Sequence, residues 1–179
     1  MYRHLRSILE PYIHPGETLA ISRSQRLCWA VGLDQTSVHN TSFPQVDMLS
    51  LPHPDSTFDF VLTDQVLEHV RGDPHRAVEE SLRVLKPGGI AVHTSCLLNP
   101  IHRSPDDYWR FTPFGLVELC SNFGVVIDAG GWGNKFVWLA ICAGLRFEDV
   151  PESRWHPYRR LALMNDPQWP ISTWVVAQK

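Results

Sequence analysis

Two short apolar runs on either side of one amphipathic segment constrain this chain more than any other feature. Phe58 to Thr63 is a near-continuous apolar stretch that stops at the polar pair Asp64-Gln65, and Ile90 to Cys96 is a second such run. Runs of this length without regular polar alternation belong to strands buried on both faces. Between them Val78, Leu82 and Leu85 recur on one helical face. Asp73 and Pro74 supply a cap and a first turn, and Lys86-Pro87-Gly88-Gly89 ends the helix. A strand, a helix and a strand in this order predict two parallel strands joined by a right-handed crossover. The remaining elements must complete that sheet.

Upstream, Tyr2, Leu5, Ile8, Leu9 and Tyr12 share one face at helical spacing, which predicts an amphipathic helix over residues 3–13. Pro15-Gly16 breaks it. Glu17 to Ser22 reads as the first strand and Cys28 to Leu33 as the second, too close together for a full crossover helix between them. Downstream, Thr112-Pro113 opens a helix with Leu116, Leu119 and Cys120 facing inward, and Gly124 stops it. Val125 to Ala129 reads as a strand, and Trp132-Gly133-Asn134 begins a helix that runs through Ala143. Residues 145–160 read as loop and short helix, and Ile171 to Ala177 as a final β-branched strand. The expected architecture is a three-layer α/β sandwich: a Rossmann-like, mostly parallel sheet with an antiparallel last strand and a shortened first crossover. No repeat or linker divides the chain, so residues 1–179 are expected to form a single domain.

Composition removes several function classes. The 179 residues are 44% hydrophobic and 20% charged with a net charge of -3, the profile of an ordinary soluble domain with no basic run for nucleic acid. No apolar stretch is long enough to span a bilayer, and the first residues lack the apolar core of a signal peptide. Cys28, Cys96, Cys120 and Cys142 form no CxxC pair, which fits reduced thiols in a cytoplasmic protein. No HExxH or comparable His spacing occurs, so no metal is expected.

The segment FDFVLTDQVLEHV followed by RVLKPGG resembles the second half of a class I S-adenosylmethionine (SAM)-dependent methyltransferase domain. In that family FD opens the fourth strand, VLEH follows it and LKPGG turns into the fifth. HRSPDDYWRFTP, and WGN near position 133, resemble a narrower branch, so the likeness covers roughly Asp47 to Gly133. The resemblance implies SAM as cofactor and methyl transfer to a small-molecule acceptor such as a sugar or secondary metabolite. Asp47-Met48 followed by Leu51-Pro52 resembles the segment whose acid faces the adenine amino group and whose apolar neighbour packs on the ring. The same residues also read as a strand end and a surface turn. Asp34 is the candidate acid for the ribose, and Asp64 and Gln65 are candidate ligand contacts after the fourth strand.

One turn departs from the family. Where the pattern resembles LDIGCG, this chain has LAISRS, Leu19 to Ser24. Ser22 and Ser24 replace glycines, Arg23 sits between them, and Ala20 replaces the usual acid. Ser22 and its neighbours either hold an anionic group by side chains, or mark a methyltransferase-like scaffold without SAM. The second case would be a binding module, a homo-oligomer or subunit completed by a partner, or a SAM-independent catalyst. His102, Asp107 and Arg110 share a loop just past a central strand, at the edge where open α/β sheets bind ligands. His102 is the candidate base, Asp107 its orienting acid, and Arg110 a clamp for a substrate carboxylate or phosphate. An Asp107–Arg110 pair that merely shapes the loop is the alternative.

Overall fold

The computed structural model describes residues 1–33, 36–103, 105–145, 150–151, 153 and 155–179. Helix α1 (Tyr2–Leu9) runs into a 3-10 turn (Glu10–Tyr12). Strand β1 (Glu17–Ile21), helix α2 (Gln25–Val31) and strand β2 (Ser37–Asn40) follow. Strand β3 (Phe58–Asp64), a 3-10 turn (Leu67–His69), α3 (Pro74–Val84) and β4 (Leu85–Cys96) make the crossover unit foreseen from the apolar runs. The chain continues through α4 (Pro113–Leu119), β5 (Val125–Trp132), α5 (Lys135–Cys142), α6 (Pro157–Leu163) and β6 (Ser172–Gln178).

The six strands form one sheet in the order β2-β1-β3-β4-β6-β5. The first four are parallel, while β6 runs antiparallel between β4 and β5. Ala20 stands beside Leu62, Leu62 beside Val92, and Val92 beside Val176, so one row of side chains crosses four strands. Because strand side chains alternate between faces, the sheet has two distinct cores. Leu19, Ile21, Val61, Ala91, Val175 and Ala177 face α3 and α4, packing with Ala77, Val78, Leu116 and Leu119. Ala20, Phe60, Leu62, Ile90, Val92 and Val176 face α1 and α2, packing with Leu5, Leu9, Leu27 and Val31. The three-layer α/β sandwich with an antiparallel last strand is therefore present.

The second strand was misplaced by sequence. Cys28 to Leu33 lies mostly in α2, and β2 begins only at Ser37. Leu27, Cys28 and Val31 are buried while Trp29 is half exposed, a helical pattern in a run too short for its period to show. Gly32, left-handed at φ 96°, caps the helix. The first crossover is thus a two-turn helix: shortened, but present. The helix foreseen over residues 3–13 ends in a 3-10 turn because Pro11 cannot donate to the preceding turn. Within the stretch 145–160, α6 is the observed helix, and residues 146–149, 152 and 154 lie outside the described residues.

Candidate functional site

A cavity of about 550 Å³ opens at the carboxyl ends of β1 and β3, where the strand order turns back on itself. That switch point is where open α/β sheets leave a crevice for ligands. Ser22 and Arg23 line it from the turn after β1, Ser42, Phe43 and Pro44 from beyond β2, and Gln65, Val66 and His69 from beyond β3. Met48, Val70 and Pro105 complete the wall.

The backbone beneath the cavity is strained. Among the described residues, four non-glycine residues have left-handed φ, and three of them, Ser22 (52°), Arg23 (68°) and Gln65 (56°), line this cavity. A left-handed L-residue costs roughly 1–2 kcal/mol, so the surroundings must hold each one. Thr41 does so for the first turn, its hydroxyl accepting from Ser22 N (3.2 Å) and its carbonyl from Arg23 N (3.1 Å). Buried Ser24 Oγ donates to Ile21 O (2.5 Å) and accepts from Asp64 N (2.7 Å), fastening the turn to β3. Gln65 N reaches both Thr94 Oγ1 (3.1 Å) and Thr94 O (3.2 Å). Ser24 is therefore structural, whereas Ser22 and Arg23 face the cavity. Arg23 is exposed and makes no ion pair among the described residues.

The other cofactor candidates separate. Met48 and Gln65 line the cavity. Asp64 does not; Tyr2 Oη (2.7 Å) and Thr94 Oγ1 (2.8 Å) donate to its carboxylate. Burial and this carboxylate together push the Tyr2 phenol well above its usual pKa. Asp47 is exposed and accepts from Leu49 N (2.9 Å), so it closes its own turn, as short acidic side chains do. Asp34 lies outside the described residues.

The polar loop proves to be built around a brace. The Asp107 side chain is 1% exposed, and Arg110 binds both its oxygens, through Nη1 to Oδ1 and through Nη2 to Oδ2 at 2.6 Å. Arg110 also donates to the carbonyls of Trp109 (2.8 Å), Asn99 (3.2 Å) and Pro100 (3.4 Å), and His102 N donates to Asp107 Oδ2 (3.0 Å). The Arg110 guanidinium holds the Asp107 carboxyl well below the usual carboxylate range. Both side chains are committed to shaping the loop, and neither lines the cavity. His102 Nδ1 lies 3.2 Å from Asp107 Oδ2, close enough for charge contact but out of line for a hydrogen bond. The Asp107-to-His102 side-chain bond expected of a base and its orienting acid is therefore not formed.

A different histidine has the geometry of a base. His69 lines the cavity, and its Nδ1 lies 2.5 Å from the carbonyl oxygen of Asp106. A carbonyl only accepts, so Nδ1 carries the proton and Nε2 keeps a lone pair. His102 packs edge-on against this ring, with centroids 4.8 Å apart. No local spacing marks His69, because the partner that fixes its tautomer lies 37 residues away on another loop.

A family model described as a methyltransferase domain matches residues 7–93, the part of the chain that builds β1 through most of β4 and both walls of the cavity. The chain belongs to the class I methyltransferase superfamily. Among its relatives is an uncharacterised methyltransferase of Schizosaccharomyces pombe, 40% identical over 86 residues, 44% of this chain and 31% of that protein. A probable S-adenosylmethionine-dependent methyltransferase of Mycobacterium tuberculosis is 33% identical over 133 residues, 68% of this chain and 46% of that one. The chain therefore spans less than half the length of these curated relatives. The solved phosphoethanolamine N-methyltransferase 2 of Haemonchus contortus shares the fold at a TM-score of 0.62 and 15% identity, over 99% of this chain and 52% of its own. The methyltransferase fold is thus carried here on a first turn without glycine. No helix among the described residues is long and apolar enough to cross a membrane.

Proposed function

We propose that this chain is a SAM-dependent methyltransferase acting on a small-molecule acceptor, with the cofactor held in the cavity between β1 and β3. The observation that carries the reading is the cavity's polarity: one unpaired guanidinium at Arg23, one imidazole with a bare nitrogen at His69, and an apolar wall between. A volume of about 550 Å³ lies in the range that encloses a molecule of this size. Met48, Phe43 and Val66 offer an apolar face for the adenine, and Arg23 with Ser22 offers charge and a hydroxyl to the carboxylate. Side chains thereby take over what glycine backbone does elsewhere in the family. When bound, SAM supplies an electrophilic methyl group on a sulfonium. His69 accepts the proton of a hydroxyl or amine acceptor at Nε2, with the Asp106 carbonyl holding its ring. His102 supports that ring from behind, and Asp107 and Arg110 keep the loop in place. The free thiols at Cys28, Cys96, Cys120 and Cys142 support a cytoplasmic setting for this chemistry.

Calorimetric titration with SAM and with 5′-methylthioadenosine, which lacks the carboxylate, tests the reading. Wild type is expected to bind SAM at micromolar concentration. Arg23→Ala should weaken SAM by roughly 10- to 100-fold, the worth of a charge-assisted hydrogen bond, and leave methylthioadenosine unchanged. The glycine-free turn favours a second reading, a methyltransferase-like scaffold that binds another ligand or a partner. No SAM binding at millimolar ligand by the wild type would select it.

A further inference from the structure

Beside His69, three side chains from three separate segments converge. They are Glu68 in the 3-10 turn after β3, Cys96 at the end of β4, and His102 in the loop beyond it. One oxygen, one sulfur and one nitrogen from these residues all lie within 4.8 Å of one another. Glu68 is fully buried; its Oε2 accepts from Ser95 Oγ (3.0 Å), but its Oε1 has no partner. His102 Nδ1 is likewise buried and unsatisfied. Only four side-chain polar atoms among the described residues share that condition, and two of them meet here. An orphaned buried polar atom costs about 1–3 kcal/mol, so a bare carboxylate oxygen and a bare imidazole nitrogen in one cluster call for something that both can bind.

We propose that Glu68, Cys96 and His102 form a binding site for a transition-metal dication of the zinc class, which pins the loop carrying His102 to the edge of the sheet. The donor set of thiolate, imidazole and carboxylate suits such ions and not magnesium or calcium, which prefer oxygen alone. Donors around a tetrahedral zinc stand roughly 3.3–3.7 Å apart for bond lengths of about 2.0–2.3 Å. The trio thus needs to contract by about 1 Å, within reach of side-chain rotation and of a loop whose His102 is partly exposed. The neighbouring guanidinium does not oppose a cation here, because Arg110 is already neutralised by Asp107. Burial holds the Glu68 carboxyl and the Cys96 thiol above their usual pKa values. A dication balanced by one thiolate and one carboxylate carries no net charge. A ligand set drawn from three segments leaves no short sequence motif, which is why spacing alone led to the opposite expectation. No ligand in the site lines the cavity, although His102 also packs against the His69 ring.

Cobalt(II) titration of chelator-treated, reduced protein tests the site directly. Cys142→Ser serves as the background for every sample, because Cys142 is the one exposed thiol. The expected result is one equivalent bound, with a sulfur-to-cobalt charge-transfer band and visible d–d bands, all displaced by zinc. Cys96→Ser should abolish the charge-transfer band, and Glu68→Gln and His102→Ala should each weaken binding on the order of ten-fold or more. His102→Ala changes a partly exposed loop residue and stays informative if either buried variant fails to fold. Absence of the charge-transfer band in the Cys142→Ser protein at millimolar cobalt overturns the proposal. So does a band that survives Cys96→Ser, or an affinity unchanged in His102→Ala.

Discussion

At the scale of single residues, the site rests on which side chains are free and which are already bound. His69 is held by one carbonyl and keeps a reactive nitrogen; Asp107 and Arg110 spend their hydrogen bonds on each other. His69→Gln is therefore expected to lower turnover by about 10²- to 10⁴-fold. Its SAM affinity should stay at the wild-type value, as a separate binding measurement would check. Asp107→Asn should act on stability instead, costing on the order of 3 kcal/mol by leaving a guanidinium without its anion. The sign of its pH dependence follows from the depressed carboxyl. Asp107 titrates lower in the folded protein than in the unfolded chain. Its contribution is complete above the ordinary carboxylate value, about 4, and is lost as pH falls through the lower folded value. The gap in melting temperature between wild type and Asp107→Asn should thus be full near neutrality and close in strong acid. A gap that stays constant from about pH 6 to about pH 2 would remove the ion pair as its cause.

At the scale of elements, the turn between β1 and α2 combines strain with a place in the cavity wall. Ser22 and Arg23 sit in a conformation that glycine adopts freely, and Thr41 and Ser24 hold them there. Ser22→Gly should stabilise the protein by up to about 1 kcal/mol in urea unfolding, because glycine pays no left-handed penalty. Ser24→Ala should cost about 1–3 kcal/mol, since Asp64 N loses its buried acceptor. Sequence reading reached some of this and not the rest, for physical reasons. The crossover from β3 to β4 was legible because Phe58–Thr63 and Ile90–Cys96 are long enough to exclude other readings. Helix α2 was not, because seven residues with Leu27, Cys28 and Val31 inward fit a strand as well as a helix. The missing glycines at Ser22 and Ser24 could be read directly, but the bonds from Thr41 that make the turn tenable could not. Sequence could name His102 as a candidate base, but only the fold shows that His69 lines the cavity and His102 does not.

At the scale of the whole molecule, α1 ties distant parts of the sheet together. Leu5 and Leu9 are fully buried against the β3–β4 face, Tyr2 reaches Asp64 at the end of β3, and His4 Nε2 lies 3.1 Å from Asp128 in β5. Leu5→Ala should cost about 2–5 kcal/mol, within the range for a large aliphatic truncated in a closed core, and denaturant unfolding would measure it. A cost near zero would mean that α1 is peripheral to stability.

The position of β6 has a consequence for how the chain is made. It follows β5 in sequence, yet it lies between β4 and β5, and Lys179 beyond it exchanges backbone hydrogen bonds with Gly88 and Gly89. On the ribosome, everything up to Trp132 is synthesised long before Ser172 appears, so β4 and β5 wait with their facing edges open. Unpaired edges invite other chains. The interval before the final strand emerges is therefore when a nascent copy is most exposed to aggregation and to chaperone capture, and any stop codon short of β6 would make that exposure permanent.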